Sequence, residues 1–361
     1  MDQNRVTTIA LMLAEYIVLI NWALQSGIKD RVYQHILKGS VMKTTIINKC
    51  IQEAVQKVKG KAKKKLQEPD YTAALTIELP PILNAHKVKG IKVGGCFIHQ
   101  SPRAIFNKTL GLGCCELGDM LVLIRTKSIG GNRHYNAALL QMKRVQQCSS
   151  TPPLVIKDSG DLTQLQLYES WPSFTIKSIN KTKYDIFPKV PNQGALYCII
   201  EEKSNHGVQF YMANPAQTMV YSNQLTLGRF IHDMMVGHAG RAISDAASRT
   251  NDEWSKLIWD LLQYTAHRLF NRKNSGFTKT KSGVICMMTK DMKESSTDVE
   301  VFLQFMMDFS RSNDNFEESE HDAEKGNSHQ IDDPNNDNLG ISTLFIDIDE
   351  EGFEKEEQDR I

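Results

Sequence analysis

The sequence predicts an α/β protein whose centre is a mixed β-sheet flanked by helices. The first observation is a pair of continuous apolar runs, at residues 119–127 and 137–145, joined by a loop that contains Gly130 and Gly131. Such runs are typical of a hairpin buried on both faces. The second is a further pair of strand-like runs at residues 194–202 and 207–213. The third is the presence of helical patterns on both sides of the hairpin in the chain.

Composition restricts the classes of protein to which the chain can belong. The chain has 361 residues, of which 41% are hydrophobic and 24% charged, which is ordinary for a globular protein with a sizeable core. Its seven cysteines are odd in number and form no CxxC pair, which argues against a zinc site or a disulfide framework and favours a cytoplasmic location. No GxxxxGK[ST] motif is present, so ATP hydrolysis would need a separate partner.

The net charge of +1 conceals two regions of opposite charge. Residues 314–361 contain 17 acidic and 3 basic residues, which leaves 25 acidic and 40 basic residues in the rest of the chain. A basic body predicts a polyanionic partner such as nucleic acid, because each lysine or arginine on a phosphate releases counterions. Ordinary surface lysines are the alternative.

We divide the chain into four regions. These are an N-terminal helical segment at 1–66, a nuclease-like core at 67–150, a strand–helix region packing on it at 151–312, and an acidic tail at 313–361. The apolar run at 6–24 is nearly long enough to span a membrane, but Glu15 at its centre favours a core or interface helix, so we expect no membrane contact.

The acidic tail is expected to be disordered, because its composition cannot bury enough apolar surface to fold alone. It contains one apolar island at residues 341–351. Three roles stay open: a solubilising tail, a competitor of nucleic acid for the basic body, or a segment that docks on another subunit through the island.

Candidate nucleic-acid contacts cluster before the hairpin. Residues 57–65 contain six lysines and form either a phosphate-binding surface or a solvated linker. Arg103 is predicted in a loop after a strand, where a phosphate contact and a loop fixed by Pro102 are alternatives. The candidates are Lys61, Lys63, Lys64, Lys65, Arg103 and Arg144.

The hairpin carries the residues with the clearest chemistry. Asp119 opens the first strand, and Gln141 and Lys143 close the second, so antiparallel pairing brings all three to one end of the sheet. A carboxylate there can hold a hard cation such as Mg²⁺ or Mn²⁺, and a lysine can stabilise charge developing on a phosphate. The pattern indicates a magnesium-dependent phosphodiesterase. The alternative is that Asp119 caps a turn and Lys143 lies on the surface.

The segments "ELGD" and "LLQMK" resemble the PD-(D/E)xK nuclease superfamily in its Q-x-K variant, and are similar to nucleases of bacterial anti-phage defence systems. The resemblance implies a restriction-endonuclease-like core and metal-dependent hydrolysis of phosphodiester bonds, with DNA as the expected substrate. It implies that Asp119 binds the metal with Gln141 and the Met142 backbone carbonyl. It also implies that Lys143 is the catalytic lysine.

A neutral glutamine leaves this site short of negative charge. Members of the superfamily often add an acid from the first core helix, which here is predicted to begin near Pro69. Glu68 is the candidate from that helix, and Glu116, three residues before Asp119, is the other catalytic and metal-binding candidate. The sequence does not decide between them.

Two other classes of function stay open. Gln141 is compatible with a non-catalytic nucleic-acid-binding or scaffolding subunit that keeps a degenerate nuclease fold. A protein held at a membrane by residues 6–24 is the third possibility. For the nuclease we expect a homo-oligomer, and a second protein subunit such as an ATPase or a sensor as a further partner.

Overall fold

The structure is a computed structural model. It describes residues 42–88, 90–98, 102–108, 111–128, 130–145, 159–177, 182–189, 194–203, 207–214, 220–248, 252–271, 277–279, 285–287, 302–304 and 340–350. The apolar run at 6–24 lies outside these residues, as do 313–339 and 351–361 of the acidic tail. No helix in the described part of the chain is both long and apolar enough to cross a membrane.

The described parts of the chain contain six α-helices besides a short helical stretch at 302–304. They are α1 (Thr44–Lys61), α2 (Glu68–Ala73), α3 (Leu79–Ala85), α4 (Ser159–Ser170), α5 (Leu227–Met235) and α6 (Glu253–Asn271). The predicted helix near Pro69 is confirmed, and Pro69 lies in the first turn of α2, where its missing N–H is harmless. A π-helical turn at Ala74–Glu78 joins α2 to α3, and the helical path continues past Pro80 and Pro81.

The strands form one large mixed sheet and two smaller ones. The large sheet contains β1 (Ile91–Cys96), β4 (Met120–Lys127), β5 (Arg133–Val145), β8 (Ala195–Lys203), β9 (Gly207–Asn214), β10 (Val220–Thr226), β11 (Arg241–Ile243) and β14 (Ser342–Asp349). A second sheet contains β2 (Arg103–Lys108), β3 (Gly111–Glu116), β6 (Phe174–Ile176) and β7 (Lys183–Tyr184), and β12 (Phe277–Lys279) pairs with β13 (Ile285–Met287). The predicted α/β class with a mixed central sheet is confirmed.

The predicted hairpin is confirmed as β4 and β5. The two strands pair antiparallel from Met120 opposite Leu140 to Lys127 opposite Arg133. Gly131 turns the chain with a φ of 77°, a left-handed conformation that glycine adopts without a steric penalty. The returning strand β5 is thirteen residues long and extends past the start of β4, so its last residues have no partner on the β4 side.

Alternation along the hairpin decides which side chains lie on the face covered by α4 and α6. Leu121, Leu123, Ala137 and Leu139 belong to a core cluster with apolar residues of both helices. Side chains of a strand alternate between faces, so residues 141 and 143 continue this row of β5. Along this face of β5 the side chains change from apolar at Leu139 to polar at Gln141, where β5 extends beyond the start of β4.

The expectation of a disordered tail is wrong for residues 340–350. Residues 342–349 form β14, which lies between β1 and β4, antiparallel to the first and parallel to the second. Phe345 is fully buried, and the Arg125 Nε atom donates to Asp347 Oδ1 at 2.7 Å. The apolar island therefore pairs inside the large sheet, and the burial of nearly all its residues, on both faces of β14, outweighs the acidic composition around it.

Candidate active site

Asp119 directly precedes β4, at the point beyond which β5 continues without a partner on that side. The Asp119 backbone N–H donates to the Leu140 carbonyl at 2.9 Å, and its Oδ2 accepts the Met142 N–H at 2.7 Å. The carboxylate thus replaces the next rung of the ladder. Asp119 therefore lies beside the end of β5 that carries Gln141 and Lys143, as antiparallel pairing predicts.

The turn before Asp119 leads the chain away from β5. A Cβ atom at Gly118 would lie 2.8 Å from the Tyr168 hydroxyl, so glycine leaves room for this side chain of α4. The Tyr168 hydroxyl in turn donates to the Leu117 carbonyl at 2.7 Å. These contacts fix the "ELGD" turn against α4 and hold the Asp119 carboxylate at the edge of β5.

Glu68 supplies a second carboxylate to the same edge. It is the first residue of α2, and its Oε1 accepts the Arg144 backbone N–H at 2.8 Å. Asp119 and Glu68 therefore satisfy the N–H groups of Met142 and Arg144, on the edge of β5 that has no partner strand. Within the described chain, neither Asp119 Oδ1 nor Glu68 Oε2 has a hydrogen-bond partner.

Glu116 is the third acid near this edge. It ends β3 opposite Arg103, the first residue of β2, so Arg103 lies on a strand and not in the predicted loop. Burial raises the pKa of the Glu116 carboxyl, with Arg103 acting against the shift. Glu116 thus remains a candidate, but the hydrogen bond that ties it to the site, from Gln164, is accepted by its backbone carbonyl.

The electrostatics of Asp119 reflect this crowding. Burial raises its pKa to about 8, and the negative charges of Glu116 and Glu68 add to the shift. The Met142 hydrogen bond and the Lys143 ammonium oppose it without cancelling it. A carboxyl group in this position holds its proton near neutral pH unless a cation arrives to balance the charge.

Lys143 is held in place by a residue that the sequence did not indicate. Its Nζ donates to Asp161 Oδ1 of α4 at 2.7 Å. Burial acts to lower the pKa of Lys143, but the Asp161 hydrogen bond, Glu68 and the other nearby carboxylates outweigh it, and the net pKa is raised. Lys143 is therefore a charged, oriented ammonium group beside the two carboxylates.

Gln141 is held by the same helix. It is only 3% exposed, and its Oε1 accepts a hydrogen bond from Gln164 Nε2. The Gln164 amide also donates to the Glu116 carbonyl at 3.0 Å, which ties the end of β3 to the end of β5. The Gln141 Nε2 atom lies 3.5 Å from the Met142 carbonyl oxygen. Both predicted neutral ligands, Gln141 and the Met142 carbonyl, thus have protein contacts.

Asp161 and Gln164 were missed because nothing near them in sequence points to the hairpin. They lie on α4 at positions i and i+3, with Tyr168 at i+7, and so share one helix face. This polar face of α4 can be recognised in the sequence. It indicates a role in the site only when α4 is known to cover the side chains of Gln141 and Lys143.

No family model, curated protein or solved structure matches this chain.

The donor atoms fit a magnesium ion better than a zinc-type site. Mg²⁺ takes oxygen ligands, and often only one or two carboxylates together with waters and substrate phosphate. Asp119 and Glu68 each keep one oxygen without a hydrogen bond, and burial together with neighbouring negative charge raises the pKa of the Asp119 carboxyl. Among the described residues, no group of three or more His, Cys, Asp or Glu side chains could hold a metal ion.

The predicted nucleic-acid contacts separate into two groups. Lys63, Lys64 and Lys65 line a cleft next to α2. Lys61 instead forms an ion pair with Glu78 at 3.0 Å. Arg144 donates to the Leu66 carbonyl at 2.5 Å and is largely buried, so much of its bonding capacity is used inside the protein.

Proposed function

We propose that the chain is a metal-dependent nuclease that hydrolyses phosphodiester bonds, with DNA as the expected substrate. One observation carries the proposal. Two carboxylates, Asp119 and Glu68, accept the N–H groups of the two residues that flank Lys143 in β5, and Lys143 itself is oriented by Asp161. Each carboxylate keeps an oxygen for a cation, and the lysine supplies a positive charge for a phosphate.

The roles of the residues follow from these contacts. Asp119 and Glu68 would hold Mg²⁺, or Mn²⁺, through oxygen. When bound, such an ion would polarise the scissile phosphate and lower the pKa of a water molecule. The Lys143 ammonium would stabilise negative charge on the phosphate oxygens, and Asp161 would fix its position. Gln141 and Gln164 would set the spacing between β5 and α4 around the site.

The finer assignments belong to the same proposal. A restriction-endonuclease-like core would place an acid on a helix beside the sheet and the Asp and Lys near the ends of neighbouring strands. Glu68 at the start of α2, Asp119 just before β4 and Lys143 near the end of β5 are compatible with that arrangement. A role in bacterial anti-phage defence is what the sequence resemblance implies. The cytoplasmic location inferred from the cysteines, self-association and a second subunit belong to the same proposal.

Asp161→Asn tests the positioning of Lys143. We expect the cleavage rate at saturating substrate to fall about 10- to 100-fold, as for other residues that orient a catalytic group, with little change in substrate affinity. The pH above which the rate declines should also shift downward, because the Lys143 ammonium loses a carboxylate that raises its pKa. A rate profile against pH measures both effects.

The matched control is Glu169→Gln, which removes an exposed carboxylate from the same helix. It should leave the rate profile unchanged. Equal losses in both variants would mean that the charge of α4, and not the Asp161 contact, matters.

The second candidate is a non-catalytic nucleic-acid-binding or scaffolding subunit. It is favoured by Gln141, which is neutral, buried and already bonded to Gln164. Such a protein would bind DNA with the same affinity in Mg²⁺ and in EDTA and would not cleave it.

A cleavage assay separates the two candidates. Full-length protein is incubated with DNA and with RNA in Mg²⁺, Mn²⁺ or EDTA, in parallel with Asp119→Ala and Lys143→Ala. The proposal predicts metal-dependent cleavage that both substitutions abolish. Cleavage that survives both substitutions would contradict it.

A further inference from the structure

A cleft of about 640 Å³, here called the lysine cleft, lies between the end of α1, the segment leading to α2, and the ends of β8 and β9. Its charged lining consists of Lys59, Lys63, Lys64, Lys65 and Glu202. The apolar part of the wall is formed by Leu66, Tyr71 and Val208. The cleft is thus a concave surface with four ammonium groups and one carboxylate.

The positive charge of the lysine cleft is mostly unbalanced. Lys65 Nζ lies 3.2 Å from Glu202 Oε2, and this glutamate also accepts a hydrogen bond from the Tyr71 hydroxyl at 2.7 Å. Lys59, Lys63 and Lys64 form no ion pair with any other described residue. Three like charges that converge without a partner favour a polyanion over a neutral ligand.

The lysine cleft lies next to the candidate active site. Leu66 lines the cleft, and its carbonyl accepts a hydrogen bond from Arg144, the residue after Lys143. Glu68 follows Lys64 by four residues, a separation of at most about 14 Å along the chain. A few nucleotides of one strand are enough to bridge that distance.

We propose that the lysine cleft binds the phosphate backbone of one nucleic-acid strand beside the bond that is cleaved. This inference rests on the proposed function and extends it by naming where the flanking strand lies. The unpaired donors are ammonium groups, which bind phosphate as point charges. Binding is therefore dominated by charge and depends weakly on base sequence.

The test measures binding without cleavage. Fluorescence anisotropy follows a labelled single-stranded DNA of about 12 nucleotides on the full-length protein in EDTA, over a range of salt concentrations. For the double variant Lys63→Gln and Lys64→Gln, the slope of log K against log salt should fall by about 1.4, and affinity at about 0.1 M salt by about 25-fold. The control, Lys43→Gln with Lys49→Gln, removes the same charge from exposed positions in and just before α1 that lie outside the cleft and form no ion pair with another described residue.

A second probe tests the backbone itself. The same oligonucleotide with uncharged methylphosphonate linkages should lose most of its affinity for the wild-type protein, and changing its base sequence should alter affinity little. Equal losses in the cleft and control variants, or undiminished binding of the uncharged probe, would overturn the inference.

The outcomes also separate this inference from the nuclease proposal. Metal-dependent cleavage by a protein whose cleft variant keeps the wild-type salt slope would refute the cleft and leave the nuclease standing. A reduced slope in a protein that never cleaves would refute the nuclease and leave the cleft as a strand-binding site.

Discussion

Metal-free Asp119→Asn protein is expected to gain stability over the wild type as the pH rises, by about 3 kcal/mol between pH 5 and pH 8. The folded state raises the pKa of Asp119 from 3.8 to about 8. Between these values the unfolded chain has lost the proton that the folded chain retains. The wild type therefore loses stability through this window, whereas the asparagine does not titrate.

Asparagine is the informative substitution because its amide oxygen can still accept the Met142 N–H. Urea unfolding at pH 5 and pH 8 in EDTA measures the effect. Glu169→Gln is the control and should stay within about 0.5 kcal/mol of the wild type at both pH values. Adding Mg²⁺ at pH 8 should stabilise the wild type and not the Asp119→Asn variant. A stability difference independent of pH would show that Asp119 is not a buried carboxyl under charge repulsion.

Phe345→Ala is expected to lower the free energy of unfolding by about 3 to 5 kcal/mol, because it empties a fully buried position on an internal strand of the large sheet. Phe345 lies on β14 between β1 and β4, and the Arg125 guanidinium packs over its ring at 5.2 Å. The loss of its contacts weakens both strand interfaces at once. Urea unfolding followed by circular dichroism measures the change.

Phe187→Ala is the matched control for this prediction. Phe187 is 61% exposed, so its removal should cost far less than the loss of Phe345. Equal costs for the two substitutions would mean that residues 342–349 do not form part of the core, and would restore the interpretation of the acidic tail as unstructured.

The elements that the sequence predicts correctly are those marked by patterns within a short stretch of the chain. The hairpin follows from two apolar runs and a glycine turn, and the start of α2 follows from Pro69. The convergence of Asp119 with the end of β5 follows from antiparallel pairing alone. These features need no knowledge of distant residues, which is why a single sequence is enough to predict them.

Long-range pairing is what local patterns could not supply. The apolar residues of β14 were visible as an island, but their partner strand β4 lies more than 200 residues earlier in the chain. The acidic composition around the island suggested disorder.

The same distinction between local patterns and long-range contacts applies to the candidate site. Asp119 and Lys143 were predicted from the hairpin, and both Glu68 and Glu116 were kept as candidates for the missing acid. The structure gives Glu68 a direct contact with β5 and Glu116 an electrostatic effect on Asp119. Asp161 and Gln164 could not be assigned, because the segment between β5 and α4 carries no pattern that fixes which face of α4 meets the sheet.

The most direct test of the nuclease site is the single-turnover rate of DNA cleavage in Mg²⁺, measured for wild type, Lys143→Gln and Lys49→Gln. We expect metal-dependent cleavage by the wild type, an unchanged rate for Lys49→Gln, and a loss of about 100-fold or more for Lys143→Gln, because its neutral amide cannot stabilise charge on the phosphate. Cleavage by Lys143→Gln at the wild-type rate, or no cleavage by the wild type in either Mg²⁺ or Mn²⁺, would contradict the proposed function.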